Sequence, residues 1–250
     1  MAPKKPVRKR SAARRPTARR SATKQSAAKR PLGRPSAAGT MDILAGQRTI
    51  PLPAPSSSRG LSVFSALERR KTVRAIGDRG FPLQTLSDLL WSACGINRES
   101  GPFGIPGRTA ASASNSQEID VYVAVEAGTY RYVPIPHSLL LVSPEDLRPL
   151  AIGPGQGMAG AKAPVRLIYV VDIAKFAKAG FQEPGLWNQE IQKSYYYVDT
   201  GLIAANVYLF AASRGLAAWF HNCNRKELAD KLRLRPDQQA LFGQTFGYPE

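Results

Sequence analysis

The chain has 250 residues, 43% of them hydrophobic, and carries 35 Lys+Arg against 18 Asp+Glu for a formal charge of +17. That length can bury a full core as one domain with an appendage. No apolar run approaches the ~18 residues that a membrane-crossing helix needs. Cys94 and Cys223 belong to no Cys-x-x-Cys or Cys/His pattern, so a disulfide scaffold and a cysteine metal site are set aside, and free thiols in the cytoplasm are expected.

The charge is unevenly spread. Residues 1–40 contain no Asp or Glu and thirteen Lys/Arg, leaving about +4 for the remainder. Their Ala, Ser, Pro, Thr, Arg and Lys cannot offset the entropy of ordering, so a disordered tail is expected. Two readings stay open. The tail attracts nucleic acid or another acidic surface without regard to sequence, or Met41 is the translation start and the tail is not made. Residues 41–60 read as an extended arm punctuated by Pro51, Pro53 and Pro55, and the folded domain spans 61–250.

Ser62 predicts a capped short helix with Val63, Phe64 and Leu67 on its apolar face. At its end lie Arg70, Lys71, Thr72 and Arg74, behind Arg69. Pro82 opens a second helix with Leu83, Leu86, Leu89, Leu90 and Ala93 at helical spacing, stopped by Gly95. Ile96 to Arg108, rich in Gly and Pro, reads as a long functional loop. Ile119, Val121, Val123 and Val125 alternate as a half-buried strand does, and Ala127-Gly128 turns it into a returning strand with Tyr130, Tyr132 and Val133. Ser143-Pro144-Glu145-Asp146 suggests a capped short helix. Val165–Val171 is continuously apolar, as in a central strand. Gly201–Ala212 is apolar almost all round and predicts a fully buried helix ending at Gly215. Asn224 caps a helix over Arg225–Leu232, and Ala240–Tyr248 closes as a strand. The pattern is that of an α+β core.

Three segments are candidates for chemistry. Arg70-Lys71-Thr72 with Arg74 is either a solvated helix end, where cations complement the dipole, or a phosphate site, because Arg, Lys and a hydroxyl supply both field and directed donors. Ser112-Ala113-Ser114-Asn115-Ser116-Gln117 is either an ordinary polar loop or a set of amides and hydroxyls for a heteroaromatic ligand. Phe220-His221-Asn222-Cys223 falls between a strand and a helix, where sites often sit, although a lone histidine is more often structural; the same applies to His137. No Rossmann or P-loop fingerprint, metal-ligand spacing or nucleophile triad is present.

These segments, in this order, resemble the FMN-dependent nitroreductase family. Arg70–Ile76 is similar to its Arg-Arg/His-Ser-x-Arg/Lys-x-Phe signature, and Ser112–Gln117 to its Pro-Ser-Ser-x-Asn-Ser-Gln segment. Asp199-Thr200-Gly201 through Asn206 to Arg214-Gly215-Leu216 resembles its long helix, and Gly243–Pro249 its closing strand. Leu89-Leu90-Trp91 and Gly95-Ile96-Asn97-Arg98 are most like the subgroup related to azoline (thiazole/oxazole-forming) dehydrogenases. The resemblance covers about residues 51–250 and implies a central mixed or antiparallel sheet flanked by helices, in an intertwined homodimer with FMN at the interface. It assigns Arg70, Lys71 and Thr72 to the phosphate and Arg74 to the pyrimidine edge. Ser112, Asn115 and Gln117 would come from the opposite subunit, and Phe220, His221, Asn222 and Cys223 would face the reactive ring. Three positions depart from the family pattern. Ala111 stands where Pro is usual, Asn222 where many relatives place Glu, and the sequence to Glu250 has no basic pair after the last strand, which puts more weight on Arg70 and Lys71.

The function implied is an FMN-dependent oxidoreductase transferring hydride by a ping-pong scheme from NAD(P)H to a small electron-poor acceptor such as a nitroaromatic or quinone. The alternatives are an azoline-type dehydrogenase acting on a modified peptide, and a nucleic-acid-associated protein acting through residues 1–40.

Overall fold

The computed structural model describes residues 47–56, 60–156, 160 and 162–250. The basic tail expected over 1–40 lies outside them. Seven strands form one sheet: β1 (Thr49–Pro51), β4 (Ile119–Val125), β5 (Gly128–Val133), β6 (Ser138–Ser143), β7 (Val165–Asp172), β8 (Ala217–His221) and β9 (Gln238–Gly247). Their order is β1-β6-β5-β4-β7-β9-β8, and every neighbouring pair is antiparallel. The sheet is therefore antiparallel rather than mixed. A separate ribbon pairs β2 (Ile96–Arg98) with β3 (Gly107–Arg108), so the stretch expected to be one long loop is pinned at both ends.

Among the described residues four α-helices accompany the sheet: α1 (Val63–Arg69), α2 (Leu83–Cys94), α3 (Gln189–Arg214) and α4 (Arg225–Lys231). On one face Leu86, Leu89 and Leu90 of α2 and Ile203, Val207 and Phe210 of α3 pack on Val121, Val123, Leu167, Tyr169 and Phe246. The other face takes Leu228 and Leu232, from α4 and its end, with Leu147 and Ala151, against Tyr122, Ala124, Ile168 and Val170. Because both faces are covered, β4 is buried along its whole length. The alternation of Ile119, Val121, Val123 and Val125 was expected to mark a half-buried strand; the intervening Tyr122 and Ala124 are simply the side chains for the second face. No helix among the described residues is long and apolar enough to cross a membrane.

Several local details differ from the expectations. Strand β6, with Leu139–Leu141, fills a stretch between Pro136 and Pro144 for which no element was expected. Ser143–Asp146 forms no helix, because the Ser143 hydroxyl accepts the Glu145 N–H in a tight turn at the end of β6. Helix α3 starts twelve residues earlier than Gly201, where Asn188 Oδ1 accepts the N–H groups of Glu190 and Ile191. It ends as anticipated at Gly215, whose left-handed φ of 67° suits glycine. Finally, α3 is buried on one stripe only, leaving Val198 60% and Leu202 42% exposed, while the apolar face foreseen for α1 points outward with Phe64 85% exposed.

Candidate flavin site

Helix α1 runs out at Arg69, and Arg70 closes it by donating its N–H to Ala66 O. The chain then lies along the open edge of β8, where Val73 N–H donates to Ala218 O at 3.1 Å. It is held further on by Gly77 N–H to Tyr248 O and by Glu250 N–H to Ala75 O. A basic segment is thereby strapped to a sheet edge that would otherwise be unpaired.

Tyr208 of α3 is the post on which this corner is built. Its hydroxyl accepts the Phe220 N–H at 2.8 Å and stands 3.2 Å from Thr72 Oγ1. Its ring lies under the Arg70 guanidinium, 5.5 Å from the centroid. One strand later Arg74 covers the Trp219 ring at 5.6 Å, and Trp219 packs edge-on against His221 at 4.6 Å. Arg70, Lys71, Thr72 and Arg74 are all exposed. Among the described residues none of the three cations makes an ion pair. Stacking fixes two of the guanidiniums without neutralising them, so the corner presents positive charge and a hydroxyl to solvent, the donor set a phosphate needs.

Beside it, His221 is buried and spent internally. Its Nδ1–H donates to Asn222 O at 2.9 Å and its Nε2 accepts from Thr245 Oγ1 at 2.7 Å. Burial pushes the imidazole down to about 4, with the Arg166 charge adding to the effect and the Asn222 bond opposing it, so it is neutral at pH 7. Cys223 is also buried, which raises its thiol to about 11 and makes it unreactive. Only Asn222 of the three offers an exposed side chain.

Ser112, Asn115 and Gln117 sit elsewhere. Ser112 Oγ accepts the Gln117 N–H at 3.0 Å, while Gln117 Nε2 donates to Pro106 O at 2.7 Å and to Asn115 Oδ1 at 2.9 Å. The turn is tied to α3 by Ala113 N–H donating to Asp199 Oδ2 at 2.9 Å. Asp199 and Tyr208 are nine residues apart on one helix, roughly 13 Å along its axis. The structure thus unites the Arg70–Arg74 segment with Phe220–Cys223, and within one chain it leaves the Ser112–Gln117 turn at a different point on α3. Non-glycine residues Ser114, Asn115 and Gln117 have φ of 50°, 53° and 52°. Three left-handed residues so close together are a stored strain of the kind found where a ligand is received.

Tyr208 and Trp219 escaped the sequence reading. Tyr208 had one usable signal: a hydroxyl in the middle of an apolar helix must find a partner.

Residues 67–248 match the nitroreductase family. A nitroreductase-family protein of Methanocaldococcus jannaschii is 29% identical over 167 residues, covering 62% of this chain and 76% of its own length. The crystal structure of a nitroreductase-family protein from Ralstonia eutropha JMP134 superposes with a TM-score of 0.72 at 34% identity, over 82% of this chain and 90% of that one. The E. coli microcin synthetase complex with truncated pro-MccB17 bound shares the fold, with a TM-score of 0.58 at 17% identity over 90% of this chain and 85% of the matched one. The family match and these relatives make the class a flavin-dependent oxidoreductase. The chain belongs to the nitroreductase family.

Proposed function

We propose that the chain binds FMN with its phosphate on Arg70, Lys71 and Thr72 and its pyrimidine edge by Arg74, and that it moves hydride from NAD(P)H to a small electron-poor acceptor. The observation that carries this reading is the convergence of Arg70, Thr72 and the β8 backbone on Tyr208, which leaves unpaired cations and a hydroxyl facing outward. FMN, when bound, supplies the redox chemistry, which accounts for a site without an acid–base pair. What the chain's own residues do is hold and orient. Arg74, fixed on Trp219, favours negative charge at the edge it faces. Asn222 offers an exposed neutral amide beside it.

A second copy completes the site in this reading. Val63, Phe64 and Leu67 on α1, and Val198 and Leu202 on α3, expose apolar surface that one chain alone leaves wet. Covering it with a partner brings the partner's Ser112, Asn115 and Gln117 to the flavin. Members of this family are generally dimers.

The test is the visible spectrum of the purified full chain and the identity of any chromophore released by heat. Near one FMN per subunit is expected. Arg70→Ala is expected to lose about 1.5–3 kcal/mol of cofactor binding, the range for a hydrogen bond to a charged group. An Arg70→Ala protein with unchanged FMN affinity would sink the phosphate assignment, and a protein that takes up no flavin would sink the whole reading.

A further inference from the structure

Behind the Ser112–Gln117 turn lie two buried carboxyl groups that the flavin site does not use. Asp199 is 4% exposed and Glu118 0% exposed. Asp199 Oδ2 accepts the Ala113 N–H at 2.9 Å, and Glu118 Oε2 accepts the Ser116 hydroxyl at 2.6 Å. Each acid is therefore bonded to the turn from below, one near its start and one near its end. Both line a small space of about 10 Å³, with room for one water at most. Glu118 Oε1 has no hydrogen-bond partner among the described residues. Two ionised carboxylates have no hydrogen to share, and a proton on Asp199 is what would satisfy that oxygen.

Among the described residues neither acid has an ion-pair partner. Arg108 of β3 lines the same space, but it forms no ion pair among the described residues and its Nε has no partner. Cys94, from the end of α2, is raised to about 11 by burial and stays neutral. Lys175 is committed to Asp120 at 2.7 Å. Glu183, which accepts from Ser114 Oγ and from the Tyr195 hydroxyl, adds a further negative group on the far side of the turn.

We propose that Asp199 and Glu118 form a carboxyl pair sharing one proton, and that this proton holds the Ser112–Gln117 turn in the strained shape that receives the flavin. Loss of the proton places two like charges in one buried space, and the turn relieves the repulsion by moving away from α3. Asp199 is thus a positioning residue, and cofactor retention follows the protonation of the pair. Burial first, and then the Glu118 charge, push Asp199 up to about 7, so the change falls near neutral pH. The sign is that of an acid whose folded pKa is raised: the contribution is complete below the ordinary carboxyl range and is lost as pH rises through about 7. Control of retention rests on the proposed flavin reading, whereas the pair itself does not.

The experiment measures FMN dissociation constants and apoprotein melting temperature between pH 5.5 and 8.5 for the full chain, Asp199→Asn and Glu118→Gln. In Asp199→Asn the amide oxygen still accepts from Ala113 and the NH₂ donates to Glu118, so the turn is held without a titrating proton. The wild type is expected to lose FMN affinity by up to about tenfold per pH unit above the transition, while Asp199→Asn stays nearly flat once the titration of the FMN phosphate, common to all three proteins, is divided out. Glu118→Gln removes the repulsion and is expected to flatten the profile as well. Superimposable wild-type and Asp199→Asn binding profiles would overturn control of retention. The apoprotein melt separates the two ideas. A wild-type melting temperature that falls relative to Asp199→Asn as pH rises supports the pair even if no flavin binds, and parallel melting curves overturn the pair whatever the flavin does.

Discussion

Replacing Tyr208 by Phe removes one oxygen atom and tests whether the basic segment, helix α3 and strand β8 are joined as described. The ring remains, so the packing under Arg70 at 5.5 Å persists and its cation–π contribution, about 0.5–1 kcal/mol, is retained. The Phe220 N–H loses its acceptor at 2.8 Å. Phe220 is half-buried, so water replaces the lost partner only in part, and the cost is about 1–2 kcal/mol, toward the lower end for an orphaned buried donor. The contact with Thr72 is exposed and adds a few tenths of a kcal/mol at most. Urea unfolding of the flavin-free protein should therefore show a loss of about 1–2 kcal/mol at an unchanged slope. A double-mutant cycle with Thr72→Val isolates the hydroxyl pair, whose coupling should be about 0.3 kcal/mol and positive. FMN affinity should weaken as well, since Thr72 loses the contact that orients it. Stability and flavin affinity both unchanged in Tyr208→Phe would refute the claim that this hydroxyl ties the phosphate corner to the fold.

His221 carries a pH dependence of the opposite sign to the carboxyl pair. Its folded pKa is depressed to about 4, so its contribution is present above the ordinary histidine value of 6.5 and is lost as pH falls toward 4. His221→Gln should flatten the melting temperature over that acid window, and a variant that keeps the wild-type slope would show that another group carries it. Phe64→Asp puts a charge on a side chain already 85% exposed, so the folded monomer should be barely affected. Sedimentation should show a shift from dimer to monomer with loss of bound flavin, and a monomer that keeps its FMN would contradict the two-copy site.

Much of the fold is legible in the residues because local and long-range preferences agree. The spacing of Leu83, Leu86, Leu89, Leu90 and Ala93, with Pro82 before and Gly95 after, leaves only a helix with one buried side. Val165–Val171 can only be a strand covered on both faces, and it sits in the interior of the sheet between β4 and β9. What stays hidden is decided by distant partners. Leu139–Leu141 reads as neither helix nor strand until β5 and β1 flank it. The early start of α3 depends on Asn188 bonding two amides, ahead of a Gln-Glu-Ile-Gln-Lys stretch with little apolar periodicity.

The site divides along the same line. Arg70, Lys71, Thr72 and Arg74 are visible because a run of cations is rare in a domain of ordinary charge, and Ser112–Gln117 because small polar residues are clustered. Nothing in the sequence says that these segments are held by Tyr208 and Asp199, nine residues apart on one helix. Nor could the two apolar faces be assigned correctly. The stripe of Val63, Phe64 and Leu67 and the all-round apolarity of α3 look like an internal core, because apolar spacing does not tell which side of a helix the chain itself covers. The exposure of Phe64 and Val198 shows which sides it leaves open. The same argument explains why a site split between two points on α3 is consistent with one cofactor. In the proposed two-copy site, the basic corner of one chain would be completed by the strained turn of the other. The carboxyl pair under that turn then acts across the interface rather than within its own chain.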